Sequence, residues 1–400
     1  MRIPKDILPR KQYLDKIKAF VNKRIIKVIT GQRRVGKSYL LYQLIEDLQK
    51  EPDSHIIYIN KEDIAFSDIN NAQQLYDYVK THIDTKKMNY VFIDEIQEIN
   101  DFATALRSLL LIENIDLYCT GSNAQLLSGD IAGFLSGRYI EITVYSLSYP
   151  EFLQFHKLND EESSVDKYLK YGGLPYLKNL ELKDEIINEY LRSIYDSIVY
   201  RDIVNHYAIR NTLFLEQLVQ FLAGNIGSLF SSKKISDFLK AQKINMASNQ
   251  VQTYVQYLVN AFLIFKVPRY DIVGKRVFEI GEKYYFENIG IRNSIAGYQI
   301  DDLGKIMENA VYNHLLYKGN KVYVGVIPPN EIDFIAENKG EKAYYQVALS
   351  IKKEDTWKRE FGNLAKIKNH YPKYVITREA WEGNTYEGIK TLSLRAFLSS

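Results

Sequence analysis

Two short stretches hold residues whose types and spacing can do chemistry: Gly31-x-x-x-x-Gly36-Lys37-Ser38 and, farther along, the acidic pair Asp94-Glu95. Glycines at that spacing let backbone N–H groups turn inward around phosphate, Lys37 can reach the β- and γ-phosphates of a nucleotide, and Ser38 can ligate magnesium. The flanks suit this reading. Ile25 to Ile29 read as an apolar strand, while Leu40, Leu41, Leu44, Ile45 and Leu48 recur at helical spacing. The loop therefore opens onto a helix N-terminus, whose dipole favours an anion. Gln32, Arg33, Arg34 and Val35 complete the loop and Tyr39 follows it, so residues 31–39 are the candidate nucleotide cradle.

Asp94-Glu95 closes the apolar run of "NYVFIDEIQEI". Downstream of a phosphate loop, an Asp at a buried strand tip can hold the magnesium shell with Ser38, and the adjacent Glu95 can orient or deprotonate the attacking water. "HIIYIN" at 55–60 adds a strand between the two motifs, with a helix near Gln73 to Val79 after it. That order fits ATPases that use a glutamate rather than GTPases. Asn60-Lys61-Glu62-Asp63 does spell the guanine-reading pattern, but it precedes the magnesium strand instead of following it, so ATP with Mg2+ is the expected ligand. A fourth strand, "IDLYCTGSN" at 115–123, ends in Ser122 and Asn123, either of which can sense the γ-phosphate. "GRYIEITVY" reads as a fifth strand, expected to bring Arg138 to the nucleotide edge of the sheet as an arginine finger for a neighbouring subunit or as a surface charge.

These elements predict an α/β fold built on a parallel sheet, and the whole chain of 400 residues exceeds what one hydrophobic core organises. Apolar residues make up 46% and charged residues 25%, the balance of a folded chain. A single cysteine, Cys119, excludes an internal disulfide framework and suits a reducing cytoplasm. The start "MRIPKDILPRKQ" lacks the apolar core of a secretory signal, and the most apolar run is broken by Asn260 and Lys266, so no membrane partner is expected. The net charge of +3 singles out no partner. Lys and Arg nevertheless crowd the first 37 residues, which suits phosphate or a solvated helix face.

The expected organisation is an ATPase core over 1–146, a helical lid over 147–210, a winged-helix-like domain over 211–290 and a nuclease-like α/β domain over 291–400. In the lid, "YGGLPYL" supplies a turn, and Arg192 and Arg201 either touch phosphate or pair with local acids such as Asp196 and Asp202. In the winged helix, Asn249, Gln250, Gln252 and Gln256 of the third helix could read base edges. That helix has no Lys or Arg, and the positive charge lies at its rims, on Lys233, Lys234, Lys240, Lys243, Lys266, Arg269, Lys275 and Arg276. Duplex DNA and a protein partner both stay open. In the last domain, Glu308 and Asp333 stand where a metal-dependent nuclease keeps carboxylates, but its Glu-x-Lys is replaced by Gln346-Val347-Ala348. Unless a lysine has migrated to Lys352, Lys353 or Lys358, a structural or binding role is expected there rather than cleavage.

Taken in order, "GQRRVGKS", "FIDEIQEI", "TGSNAQLLSG", "LSGRYIEI", "SLSYPEF" and "YGGLPYL", then "YRDIVNHYAIR", "EKYYFENIGIRNSI", "MENAVYNHLL" and "NEIDFIAE", resemble the bacterial and archaeal AAA-type ATPases whose C-terminal part is a domain of unknown function. The resemblance covers nearly the whole chain. It implies ATP-dependent switching in a homo-oligomer, a winged helix and a C-terminal restriction-endonuclease-like fold. The expected function is an ATP-driven switch acting on or near nucleic acid, with a protein-docking ATPase and an ATP-regulated metal-dependent nuclease as alternatives.

Overall fold

Runs rich in β-branched residues build a parallel sheet at the start of the chain. In a computed structural model, β1 (Ile26–Thr30), β2 (Ser54–Asn60), β3 (Met88–Asp94), β4 (Ile115–Gly121) and β5 (Tyr139–Thr143) lie in the order β2-β3-β4-β1-β5, every pair parallel. The structure describes residues 3–4, 6–127, 133, 135–241, 246–278, 281–379 and 385–400. The chain forms two units, one of Met1–Tyr145 with Asn260–Phe262 and one of Ser146–Val259 with Leu263–Ser400.

In the first unit β1 and β4 are buried along their whole lengths, as strands covered on both faces must be. Val28, Val91, Leu117 and Cys119 pack with Leu75 and Val79 of the helix Ala72–His82 and with Leu106 and Leu109 of the helix Phe102–Leu109. Burial pushes the Cys119 thiol up to about 12, so it acts as a core residue and not as a nucleophile. Because all strands run the same way, their carboxyl ends share one edge. Thr30 is in register with Gly121 and with Thr143, and Asn60 with Asp94.

The second unit begins with the expected helices. Ser148 and Glu151 form a capping box that starts Tyr149–His156, followed by Glu162–Tyr171 and Asp184–Ser197, the last continuing as a π-helix over Ile198–Asn205. The "YGGLPYL" turn presses against the helix Ile289–Ala296: a Cβ on Gly290 would lie 2.0 Å from the Tyr171 carbonyl oxygen. Asn293 seals that approach by donating to the carbonyls of Leu169 and Lys170, both at 2.9 Å. Two of the sequence motifs thus meet in packing rather than in chemistry.

Thr212–Gly224, Ser232–Ala241 and Ser248–Asn260 are the three helices expected of the winged-helix segment. The strands after them do not pair as the local strand and wing of a winged helix would. β6 (Ile264–Val267) pairs antiparallel with β9 (Lys283–Phe286), whereas β7 (Arg269–Asp271) and β8 (Arg276–Val277) form a hairpin that joins the C-terminal sheet through β10 (Lys321–Ile327). The open edge of β10 satisfies the β7 backbone, which an isolated wing would leave to water.

β10, β11 (Asn330–Asn338) and β12 (Glu341–Ala348) are antiparallel, preceded by the helix Leu303–Tyr317 and followed by the helix Glu354–Ala365. β13 (Lys373–Thr377) and β15 (Ile389–Ser393) then extend the sheet in parallel, with β14 (Thr385–Tyr386) at its edge. Ile332, Ile335, Phe361, Leu364 and Val375 form the core between sheet and helix. Among the described residues no helix is long and apolar enough to cross a membrane.

At the amino end of the first sheet, Lys27 on β1 and Asp116 on β4 form an ion pair with side chains 0% and 1% exposed. Asp116 also accepts from the Asn22 N–H at 2.9 Å and the Tyr118 hydroxyl at 2.7 Å, and Lys27 donates to the Lys23 carbonyl at 3.0 Å. Losing one partner leaves a buried charge unmatched. Lys27→Met is expected to cost about 3–5 kcal/mol, while the double change Lys27→Met with Asp116→Leu costs clearly less than the two single changes summed. Urea unfolding of the four proteins checks this, and strict additivity would refute it.

Candidate active site

The phosphate loop leaves β1 at Gly31 and enters the helix Lys37–Leu48 after Gly36, whose φ of 97° places it in the left-handed region. A Cβ at Gly31 would lie 2.2 Å from the Val144 carbonyl oxygen, so only glycine lets the loop pass this close to the chain leaving β5. The Arg10 guanidinium holds the arrangement from outside. It donates to the Val35 carbonyl at 3.1 Å and to the Tyr145 carbonyl at 2.8 Å. Lys37 Nζ lies over its own loop, donating to the carbonyls of Gly31 at 3.0 Å and Gln32 at 3.1 Å. Phosphate oxygens offer the same ammonium stronger, charged acceptors. Gln32 is fully buried, with Nε2 on the Phe262 carbonyl at 2.8 Å, and Arg33 pairs with Glu62 at 3.2 Å. Arg34 is exposed, Val35 is buried, and Tyr39 is exposed with its ring edge against Tyr42.

The structure brings Ser38 and Asp94, the two residues expected at the metal, within reach of each other, and the Ser38 hydroxyl favours the Asp94 carboxylate. Asp94 also accepts from the Thr120 hydroxyl on Oδ1 and from the Tyr58 hydroxyl at 3.2 Å on Oδ2. Burial raises the Asp94 carboxyl above its ordinary range, against the hydrogen bonds of Thr120 and Ser38 and the charge of Lys37. A hydroxyl beside a buried carboxylate is a donor set of the hard oxygen type that magnesium takes, so these residues fit the metal. Tyr58 lies within 3.3 Å of the Tyr42 hydroxyl, and the two rings pack at 5.8 Å between centroids.

Glu95 follows in a left-handed conformation, φ 57°, its N–H donating to Thr120 Oγ1 at 2.9 Å. Its Oε2 accepts from the Gln97 amide and, at 3.2 Å, from the Ser122 hydroxyl. Burial pushes the Glu95 carboxyl up, but Lys37, Gln97, Arg33 and Ser122 outweigh it and hold the group below its ordinary range. It is therefore ionised near neutrality, the state in which it can accept a proton. Of the two sensor candidates, Ser122 contacts Glu95, and Asn123 is buried beside it in sequence. Asn60, Lys61, Glu62 and Asp63 make local contacts: the Asn60 side chain accepts from the Glu62 N–H, Lys61 donates to the Phe66 carbonyl, and Asp63 caps a short 3-10 turn.

Arg138 does not reach the nucleotide edge of its own sheet. It immediately precedes β5, whose Tyr139 pairs with Ile26 at the amino end of β1, and its carbonyl accepts from the Ile26 N–H at 2.8 Å. A residue at the amino end of a parallel strand lies at the opposite edge from the phosphate loop. There Arg138 lines a cleft of about 510 Å³ with Arg24 and Arg107. Arg201 belongs to the second unit, exposed on the π-helix, and Arg192 is exposed on the helix before it. Sequence reasoning misses Arg10, Tyr58, Gln97 and Thr120. The position of Thr120 near the end of β4, two residues before Ser122, is the one available signal.

The migrated lysine sought in the C-terminal domain is not Lys352 or Lys358. Lys352 pairs with Glu379 at 2.8 Å and Lys358 with Glu354 at 2.6 Å, all four side chains mostly solvent-exposed. Lys353 only precedes the helix Glu354–Ala365 and is itself exposed. Of the basic rim, Lys243 and the side chain of Lys234 lie outside the described residues.

A family model described as an AAA domain matches residues 23–153, and one described as a domain of unknown function matches residues 162–302. An uncharacterised protein of Haemophilus influenzae is 36% identical over 396 residues, covering 97% of this chain and 98% of that protein. An uncharacterised protein of Methanocaldococcus jannaschii is 31% identical over 343 residues, covering 81% of this chain and 74% of that one. The Walker-type ATPase of Pyrococcus abyssi shares the fold, with a TM-score of 0.51 at 16% identity over 73% of this chain and 96% of that structure. The chain belongs to the same family as the Haemophilus and Methanocaldococcus proteins, and its residues 23–153 are a P-loop domain of the AAA type.

Proposed function

We propose that this protein binds and hydrolyses ATP with Mg2+ and works as an oligomeric switch on or near nucleic acid. The observation that carries the reading is the convergence of Lys37, Ser38, Asp94 and Glu95 on one edge of the sheet, with the Glu95 carboxyl held below its ordinary range by Lys37 and its hydrogen-bond donors. Magnesium, when bound, would neutralise charge on the phosphates. The rest falls to the chain: loop N–H groups and Lys37 hold the β- and γ-phosphates, Ser38 and Asp94 would hold the metal, and the Glu95 carboxylate takes the proton of the attacking water. Gln97 and Ser122 keep that carboxylate aimed, and Ser122 or Asn123 senses the γ-phosphate. The single, buried Cys119 supports placement in a reducing cytoplasm.

Lys37→Ala is expected to abolish nucleotide binding, and Glu95→Gln to bind ATP while phosphate release falls by about 100-fold or more. Unchanged release by Glu95→Gln, measured with a phosphate sensor, would remove Glu95 from its role.

Arg138 stands at the far edge from its own nucleotide, which suits service to a neighbouring subunit, with Arg201 as the second candidate. An arginine supplied in trans is worth roughly 10³–10⁵ in rate. Turnover per chain should therefore climb with protein concentration and lose that dependence in Arg138→Ala. Constant specific activity over a broad dilution series would exclude trans catalysis.

In the second unit Asn249, Gln250, Gln252 and Gln256 share the exposed face of their helix, while Val251, Val255 and Leu258 are buried. Part of the basic rim is already matched, since Lys266 pairs with Glu282 at 3.2 Å and Arg276 lies 3.6 Å from Asp271. DNA binding through this face should thus be weak and dominated by the phosphate backbone. Replacing exposed Lys233, Lys240 and Lys275 with Gln should weaken duplex binding whatever the sequence and lower the salt slope by about one for each phosphate that is no longer neutralised. If affinity and slope stay fixed, the segment docks protein instead.

A further inference from the structure

Lys283 is a cation in an unusual place. It lies on β9 with a side chain only 6% exposed, yet it is the hub of a carboxylate cluster gathered from two other elements. Its Nζ is 3.3 Å from Oε1 of Glu308, on the helix Leu303–Tyr317, and 2.6 Å from Oε1 of Glu331, on β11. Tyr285, two residues along β9 and so on the same face, donates to the same Glu308 oxygen at 2.5 Å. Asp333, two residues along β11 from Glu331, accepts from the Val347 N–H at 2.8 Å. Burial and the charge of Glu308 raise the Asp333 carboxyl well above its usual range, with Lys283 pulling the other way.

The remaining polar groups around Asp333 are satisfied within the protein. Gln346 accepts from the Asp333 N–H at 3.0 Å and donates to Glu360 Oε2 at 2.7 Å, and Glu360 Oε1 takes the Arg359 guanidinium. Carboxylates projected from a helix and a neighbouring strand are what a divalent metal needs beside a phosphodiester. Among the described residues, however, no group of His, Cys, Asp and Glu is arranged to hold a metal.

We propose that Lys283 is the built-in cation of this cluster, its ammonium standing where a divalent metal would otherwise bind Glu308, Glu331 and Asp333. An ammonium balances charge and donates three hydrogen bonds, but it offers no open coordination position for water or a phosphate oxygen. The site is thereby a metal-free core that orders the second unit and does not cleave phosphodiesters. This inference does not depend on ATP hydrolysis by the first unit.

The test uses the full chain without nucleotide, in an Asp94→Asn background that removes the metal ligand of the first unit. Free Mn2+ is counted by electron paramagnetic resonance, and Tm is recorded with and without Mn2+. The Lys283 parent and Lys283→Arg are expected to bind no stoichiometric Mn2+. Lys283→Met, with its carboxylates unmatched, should lose on the order of 5 °C in Tm and regain much of it as it takes up one Mn2+ per chain. A folded Lys283→Met that gains no Mn2+ overturns the proposal. So does one Mn2+ bound by the Lys283 parent and absent from Asp333→Asn, or metal-dependent cleavage of DNA or RNA that disappears in the same variant. The readings on the Lys283 parent decide the matter even if Lys283→Met fails to fold.

Discussion

The Thr120 hydroxyl ties together the two groups on which the proposed chemistry of the first unit depends. It donates to Asp94 and accepts from the Glu95 N–H, so one side chain on β4 fixes both the residue that ends β3 and the one that turns away from it. Glu95 has φ 57°, a conformation that costs a residue with a Cβ of order 1 kcal/mol or more and persists only where its surroundings impose it. The tie to Thr120 is that imposition, and Gln97 and Ser122 then hold the carboxylate that the turn presents. Threonine suits the place twice, since a β-branched residue favours a buried strand and its hydroxyl matches a carboxylate and an N–H together. The parallel sheet supplies the rest: Ile93 is in register with Cys119, which brings the residues that follow each of them to one edge.

What can be read from the sequence is what is contiguous in it. A phosphate loop is a single stretch of backbone, and its glycines, Lys37 and Ser38 carry their geometry with them. Asp94 and Glu95 are legible because the strand before them is so apolar that its end is recognisable. Arg10, Tyr58 and Gln97 are not, since Arg10 acts on carbonyls contributed by two distant segments and Tyr58 reaches Asp94 only through the register of β2 with β3. Arg138 misleads for a different reason. It precedes its strand, and in an all-parallel sheet that alone assigns it to the amino edge, so strand direction, legible in the sequence, is enough to place it. In the second unit a winged helix would pair its strands locally, whereas the β7–β8 hairpin finds a longer-range partner for β7 in β10.

The two units carry carboxylate clusters that treat charge in opposite ways. In the first, Asp94 is held above its ordinary range and Glu95 below it, side by side, and the ammonium that acts on both, Lys37, rests on uncharged carbonyls. That arrangement is unfinished as electrostatics. Acceptors are gathered at Asp94 and Ser38 for a cation, and a donor is parked where an anion would hold it better. Such a site would gain from a ligand that brings phosphate and metal together, as the proposed nucleotide reading requires.

In the second unit Lys283 already lies among Glu308 and Glu331, Tyr285 donates to the same carboxylate, and Gln346 and Arg359 close the periphery. Nothing there gains by exchanging the ammonium for a hydrated divalent ion, because the exchange would strand a buried lysine. Neutral Gln346 and Ala348 point, by sequence, to a missing catalytic lysine and to a replacement somewhere after β12. The lysine that matters comes from β9, before the helix that carries Glu308, and it answers to the charge of the carboxylates rather than to catalysis. A fold can thus keep acids from several elements in one place without a metal, provided that some other strand supplies a cation of its own.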